Sequence, residues 1–99
     1  MIMKSTVEIL DILRMYKTKY ASRYGLIRMG VFGSAARGEQ TEDSDVDICF
    51  EGKAPSLLTL DYMQRELEKL LGCPVDLIRI REGMNHRLRN RISKDCIYV

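Results

Sequence analysis

Three short stretches of this chain carry residue types that could handle a phosphate and a cation: Gly33-Ser34-Ala35-Ala36-Arg37-Gly38, then Ser44-Asp45-Val46-Asp47, then Asp76 within Val75-Asp76-Leu77-Ile78. A Gly-Ser pair closing an apolar run, followed by small residues able to turn into a helix, offers backbone N–H groups, a hydroxyl and the positive end of a helix to a phosphate. Bulk at Gly33 would hold the phosphate off. Asp45 and Asp47 are two apart in an extended segment, so both carboxylates point to one face of a sheet. Divalent cations offset their mutual repulsion most simply, and paired strand carboxylates can span the roughly 3.5–4 Å between the ions of a two-metal phosphoryl-transfer site. Asp76, acidic in an otherwise apolar segment, is the natural third ligand if a neighbouring strand carries it to the same face.

Better-known phosphate and metal patterns fail on particular residues. Gly33 and Gly38 have the spacing of the two P-loop glycines, but Glu39 and Gln40 stand where Lys and Ser or Thr are required. Gly30 and Gly33 supply only the last two glycines of a dinucleotide fingerprint. Asp43, Asp45 and Asp47 alternate like the start of a calcium loop, yet Ile48 occupies the position of its glycine and Ala54 that of its closing glutamate.

The elements that must position these residues follow from periodicity. Ser5 and Glu8 form a capping-box pattern ahead of Ile9, Leu10, Ile12, Leu13, Tyr16, Tyr20 and Tyr24 at helical spacing, with Gly25 as the stop. Leu26 to Phe32 reads as a buried strand that breaks at Gly33, and Val46, Ile48 and Phe50 alternate as a second strand. Ser56 to Leu71 predicts a helix with Leu57, Leu60, Met63, Leu67, Leu70 and Leu71 on one face, ended by Gly72. Val75 to Ile80 predicts a third strand, and Met84 to Lys94 a weaker helix with Leu88 and Ile92 inward and its arginines outward. The tail from Cys96 to Val99 is expected to pack as an extended segment. This order predicts an α/β (α+β) chain in which helices cover a mixed sheet of three to four strands.

Ninety-nine residues predict a single domain over 1–99, with one modest core and a shallow site. The composition, 45% hydrophobic and 30% charged, argues against disorder, and a net charge of +2 is too small to indicate nucleic-acid or membrane binding. Cys49, Cys73 and Cys96 are an odd number, widely spaced, and read as small buried hydrophobes in a reducing compartment. His86 is the sole histidine, which leaves zinc without a ligand set. With no leader pattern and no apolar run of about eighteen residues, the expectation is a cytoplasmic protein that neither enters nor crosses a membrane.

The sequence resembles the minimal nucleotidyltransferases of the DNA polymerase β-like superfamily. The resemblance is carried by Gly33-Ser34, ten residues, then Asp45-Val46-Asp47, with Ala36-Arg37-Gly38, Ser44 and the Val75-Asp76-Leu77 segment also fitting; it covers nearly the whole chain. It implies the polymerase β-like nucleotidyltransferase fold and transfer of AMP from ATP with magnesium, two ions in all, and release of pyrophosphate. By that resemblance Gly33 and Ser34 hold the distal phosphates, and Asp45 and Asp47 bind magnesium around the triphosphate and the attacking oxygen. Asp76 completes the metal site and takes the acceptor's proton, and Ser44 and Arg37 belong with the nucleotide-binding positions. For Arg37 a structural ion pair with an acidic neighbour such as Glu42 or Asp43 stays open beside the triphosphate contact.

Larger members of the superfamily bind the acceptor with an added domain, so here the expectation is an acceptor presented by another molecule, or a site completed by homo- or hetero-oligomerisation. The resemblance implies the antitoxin half of a pair, attaching AMP to a tyrosine of a helical HEPN ribonuclease toxin. Two alternatives belong beside it: a non-catalytic binding module that neutralises its partner by contact alone, and transfer to a small molecule, disfavoured because nothing here would wrap such a ligand. The basic segment with Arg79, Arg81, Arg87, Arg89, Arg91 and Lys94 is either a partner-facing surface or a solvated helix face, and a contact with RNA is the less favoured use. Tyr16, Tyr20 and Tyr24, one helical stripe, are read as core or apolar contact surface and not as sites of self-modification.

Overall fold

The structure, a computed structural model, describes residues 4–99. Helix α1 (Thr6–Tyr24) opens on the expected capping box: the Glu8 N–H donates to Ser5 Oγ at 3.2 Å and the Ser5 N–H to Glu8 Oε1 at 3.0 Å. It stops at Gly25, whose φ of 66° is the left-handed conformation that ends helices at little cost in glycine. Strand β1 (Leu26–Phe32), the one-turn helix α2 (Ser34–Arg37), strand β2 (Val46–Gly52), helix α3 (Leu57–Leu71), strand β3 (Val75–Arg79), helix α4 (His86–Asp95) and the short strand β4 (Ile97–Tyr98) follow. The sheet order is β3-β2-β1-β4. β1 runs antiparallel to β2 and β4, whereas β2 and β3 are parallel and joined through α3.

The two faces of this sheet are dressed unequally. Val31, Val46, Ile48, Phe50, Val75 and Leu77 pack against Ile9, Leu13 and Tyr16 of α1 and Met63, Leu67 and Leu71 of α3. Because side chains alternate along a strand, Phe32, Asp47, Cys49, Asp76 and Ile78 leave by the other face. There the covering cluster is small: Phe32 and Cys49 with Met84 and Ile92, flanked by Ile78, Ile80, Leu88 and Cys96. One short helix, α4, thus covers the face that carries the aspartates, and its N-cap Asn85 accepts from the N–H groups of Arg87 and Leu88. The helix begins at His86, two residues later than the periodicity predicts, because Asn85 takes the capping position.

Two side-chain expectations need correction. Leu57 is 85% exposed and Leu70 50%, so the inward face of α3 is Met63, Leu67 and Leu71, with Leu60 at its margin. Leu57 is the first helical residue, where the turn has not yet come round to the sheet. Of the cysteines only Cys49 is buried, while Cys73 and Cys96 are half-buried; all are free, with the sulfurs of Cys49 and Cys96 3.1 Å apart. The tyrosine stripe behaves as core and contact: Tyr16 is buried, rings Tyr16–Tyr20 and Tyr20–Tyr24 pack at 4.7 and 5.3 Å, and the Tyr16 and Tyr24 hydroxyls both donate to Glu66 of α3.

Candidate active site

Register brings the chemistry-bearing residues together at one end of the sheet. Asp47 on β2 has Phe32 of β1 as its partner on one side and Asp76 of β3 on the other, so the two aspartates stand abreast on the face that α4 covers. Asp45, one residue before β2 begins, is exposed. Gly33 follows Phe32 directly and caps α2 with φ 72° and ψ −152°, a conformation that only glycine adopts readily. A Cβ there would collide with the Asp47 carboxylate, Cγ lying 3.3 Å from it. The absent side chain is therefore what lets the Asp47 carboxylate lie against Gly33 at the start of α2.

Electrostatics agree with that crowding. Burial pushes the Asp47 carboxyl up from its ordinary value, Arg91 beside it pulls it back, Asp76 and Asp45 push it further up, and Arg37 pulls it down more weakly. The Arg91 guanidinium of α4 lies 3.5 Å from Asp47 Oδ2. Among the described residues no three acidic, thiol or imidazole side chains converge tightly enough to hold an ion as they stand. The donor set nevertheless suits magnesium: hard carboxylate oxygens at adjoining strand ends, on one face, open to solvent at Asp45 and Asp76.

Two of the residues named from sequence have other engagements. Arg37 pairs with Glu39 at 3.1 Å and with Asp95 of α4 at 2.5 Å; its acidic neighbours are these, not Glu42 or Asp43, because the end of α2 points across the sheet end toward the end of α4. The Ser44 hydroxyl accepts from the Thr41 N–H at 3.0 Å and lies 3.1 Å from the Thr41 hydroxyl, closing the loop that delivers Asp45. Arg91 is the residue that sequence reasoning placed elsewhere, among the outward arginines. A signal existed: Leu88, Arg91, Ile92 and Asp95 fall at i, i+3, i+4 and i+7, one face of a helix. A cavity of about 390 Å³ lined by Gln40, Thr41, Ser44, Leu71, Cys73 and Pro74 lies beyond the loop and includes neither Gly33 nor the Asp47–Asp76 pair.

A small mixed sheet with an aspartate pair abreast at one end, and a glycine turn packed on one of them, is an arrangement suited to holding cations beside a phosphate, the chemistry of nucleotidyl transfer. The profile described as nucleotidyltransferase domain matches residues 13–99, and the chain belongs to that family, in its minimal, MntA-type branch. A relative from Thermococcus cleftensis named protein adenylyltransferase MntA is 38% identical over 100 residues, spanning 100% of both chains. A solved structure provisionally described as a minimal nucleotidyltransferase superposes with a TM-score of 0.75 at 33% identity over 95% of each chain. A chain in a complex of tri-AMPylated Shewanella oneidensis HEPN toxin with MNT antitoxin shares the fold at a TM-score of 0.61 and 19% identity, over 94% of this chain and 66% of that one.

Proposed function

We propose that the chain transfers AMP from ATP to a hydroxyl of a partner protein, a tyrosine of a HEPN-type toxin, and so acts as its antitoxin. The observation that carries this is the side-by-side placement of Asp47 and Asp76 next to the Gly33 turn, in a chain whose full-length relative bears the name protein adenylyltransferase. Asp45, Asp47 and Asp76 would hold the two magnesium ions, and Gly33 and Ser34 the distal phosphates, with backbone N–H groups and the Ser34 hydroxyl as donors. Bound magnesium would supply Lewis-acid polarisation of the phosphoryl oxygens and neutralisation of the leaving pyrophosphate. The tyrosine oxygen attacks the α-phosphorus, its bond to that phosphorus forms as the bond to the pyrophosphate oxygen breaks, and Asp76 receives the phenolic proton. Ser44 and Arg37 act at a remove, Ser44 by closing the loop before Asp45 and Arg37 by tying α2 to α4. The open, shallow face suits an acceptor presented by another protein, which is why specificity is assigned to the partner's surface. The free cysteines suit the reducing cytoplasm, and no described helix is long and apolar enough to cross a membrane.

The test is transfer of label from α-labelled ATP with magnesium to a HEPN-type partner, with Asp45→Asn and Asp47→Asn as controls. Loss of labelling in both supports the reading. Full toxin neutralisation by an unlabelling Asp47→Asn variant would favour neutralisation by contact alone.

A further inference from the structure

Arg91 is held in a way that a merely structural arginine is not. Its helix is fixed independently, by Leu88 and Ile92 against Phe32 and Cys49 and by Asp95 against Arg37. Its side chain is 58% exposed, with the guanidinium 3.5 Å from Asp47 Oδ2 and Cζ 5.6 Å from the centre of the Phe32 ring. An ion pair of that length at an exposed side chain contributes little to stability. What it does is electrostatic: it is the guanidinium in direct contact with the most buried carboxylate of the site, with Arg37 acting on that carboxylate more weakly and Asp45 and Asp76 adding to the charge it offsets.

We propose that Arg91 is a phosphate-binding residue that neutralises Asp47 in the nucleotide-free protein and turns to the polyphosphate when nucleotide arrives. The proposal rests on the nucleotidyltransferase reading above. With a divalent cation held at Asp47, the Arg91 guanidinium would lose its counter-charge and be repelled from that carboxylate. The nearest new anion is then the polyphosphate at Gly33 and Ser34, because the Gly33 turn packs on the same Asp47 carboxylate. The planar fork of a guanidinium matches two phosphate oxygens at once. Arg37, the arginine expected there from sequence, is already paired with two carboxylates. Arg91 instead holds one loose partner, and surrenders it in the binding step.

The experiment is a pair of binding titrations on the intact protein and its Arg91→Ala and Arg91→Lys variants. Manganese binding without nucleotide, followed by electron paramagnetic resonance, is expected to tighten about threefold or more in Arg91→Ala, because the competing cation is gone. Affinity for a non-hydrolysable ATP analogue with magnesium is expected to weaken about tenfold in Arg91→Ala, the scale of one charge-assisted hydrogen-bonded contact, and to recover in part in Arg91→Lys. Unchanged nucleotide affinity in Arg91→Ala overturns the proposal, whether or not manganese binding changes, since the residue is then only a clamp on Asp47. Should Asp47→Asn abolish transfer while Arg91→Ala binds nucleotide normally, this inference falls and the reaction reading stands. Should Asp47→Asn transfer AMP as well as wild type, it is the reaction reading that falls.

Discussion

Asp47 and Asp76 are register partners across the parallel β2–β3 ladder, and both leave the sheet on the side that α4 covers. That relationship depends on the crossover through α3, which brings the next strand of the chain beside β2 in a register that no local pattern dictates. A one-residue slip of β3 would send Asp76 to the α1–α3 core and Leu77 to the site.

Gly33 is the position where the turn and the carboxylate meet, and Gly33→Ala should fail on both counts. The backbone there costs a non-glycine residue about 1–3 kcal/mol, and the new methyl must displace the Asp47 carboxylate. A lowered urea midpoint together with loss of AMP transfer is the expected outcome. A variant with wild-type stability and transfer would show that the turn is not packed on Asp47.

The Arg37–Asp95 pair couples the end of α2 to the end of α4, and Asp95 is the more buried partner, with 12% of its side chain exposed. Asp95→Asn should leave Arg37 with Glu39 alone and loosen α4, read as faster amide hydrogen exchange across its last turn with little change in α1 or α3. Exchange unchanged throughout α4 would mean that Leu88 and Ile92 hold the helix unaided.

The architecture, and the meeting of Gly33, Asp47 and Asp76, were legible in the sequence for a physical reason. Elements with strong local signals, the Ser5–Glu8 capping box, the Gly25 stop and the alternating Val46, Ile48 and Phe50, fold where their patterns say. Leu57 misleads because helical spacing predicts a face but not how far round the first turn the sheet extends. Arg91 was missed because arginines at i, i+2 and i+4 read as a solvated face, while the contact that turns one of them inward is made with a strand more than forty residues earlier.

That correction on α3 is directly checkable. Leu57, 85% exposed, should tolerate Leu57→Ser within about 0.5 kcal/mol, whereas Met63→Ala, at a position with no exposed surface, should cost about 2–5 kcal/mol. Equal losses in chemical denaturation would contradict the packing of α3.

Burial, reinforced by Glu66, pushes the Tyr16 phenol well above its ordinary value of 10.0. Above about pH 10 the unfolded chain therefore releases a tyrosine proton that native Tyr16 keeps, the unfolded state binds fewer protons, and stability falls as pH rises. Tyr16→Phe should flatten that fall between about pH 9 and about pH 11 in urea unfolding. Identical slopes in variant and wild type would show that Tyr16 titrates alike in both states.

The central claim is that the aspartate pair at the Gly33 turn drives transfer of AMP to a partner protein. Its most direct measurement is the intact mass of a HEPN-type partner after incubation with ATP, magnesium and either the wild-type chain or Asp47→Asn. The account predicts AMP adducts on a partner tyrosine with the wild type and none with the variant. Equal adducts with both, or none with either while the partner is still neutralised, would contradict it.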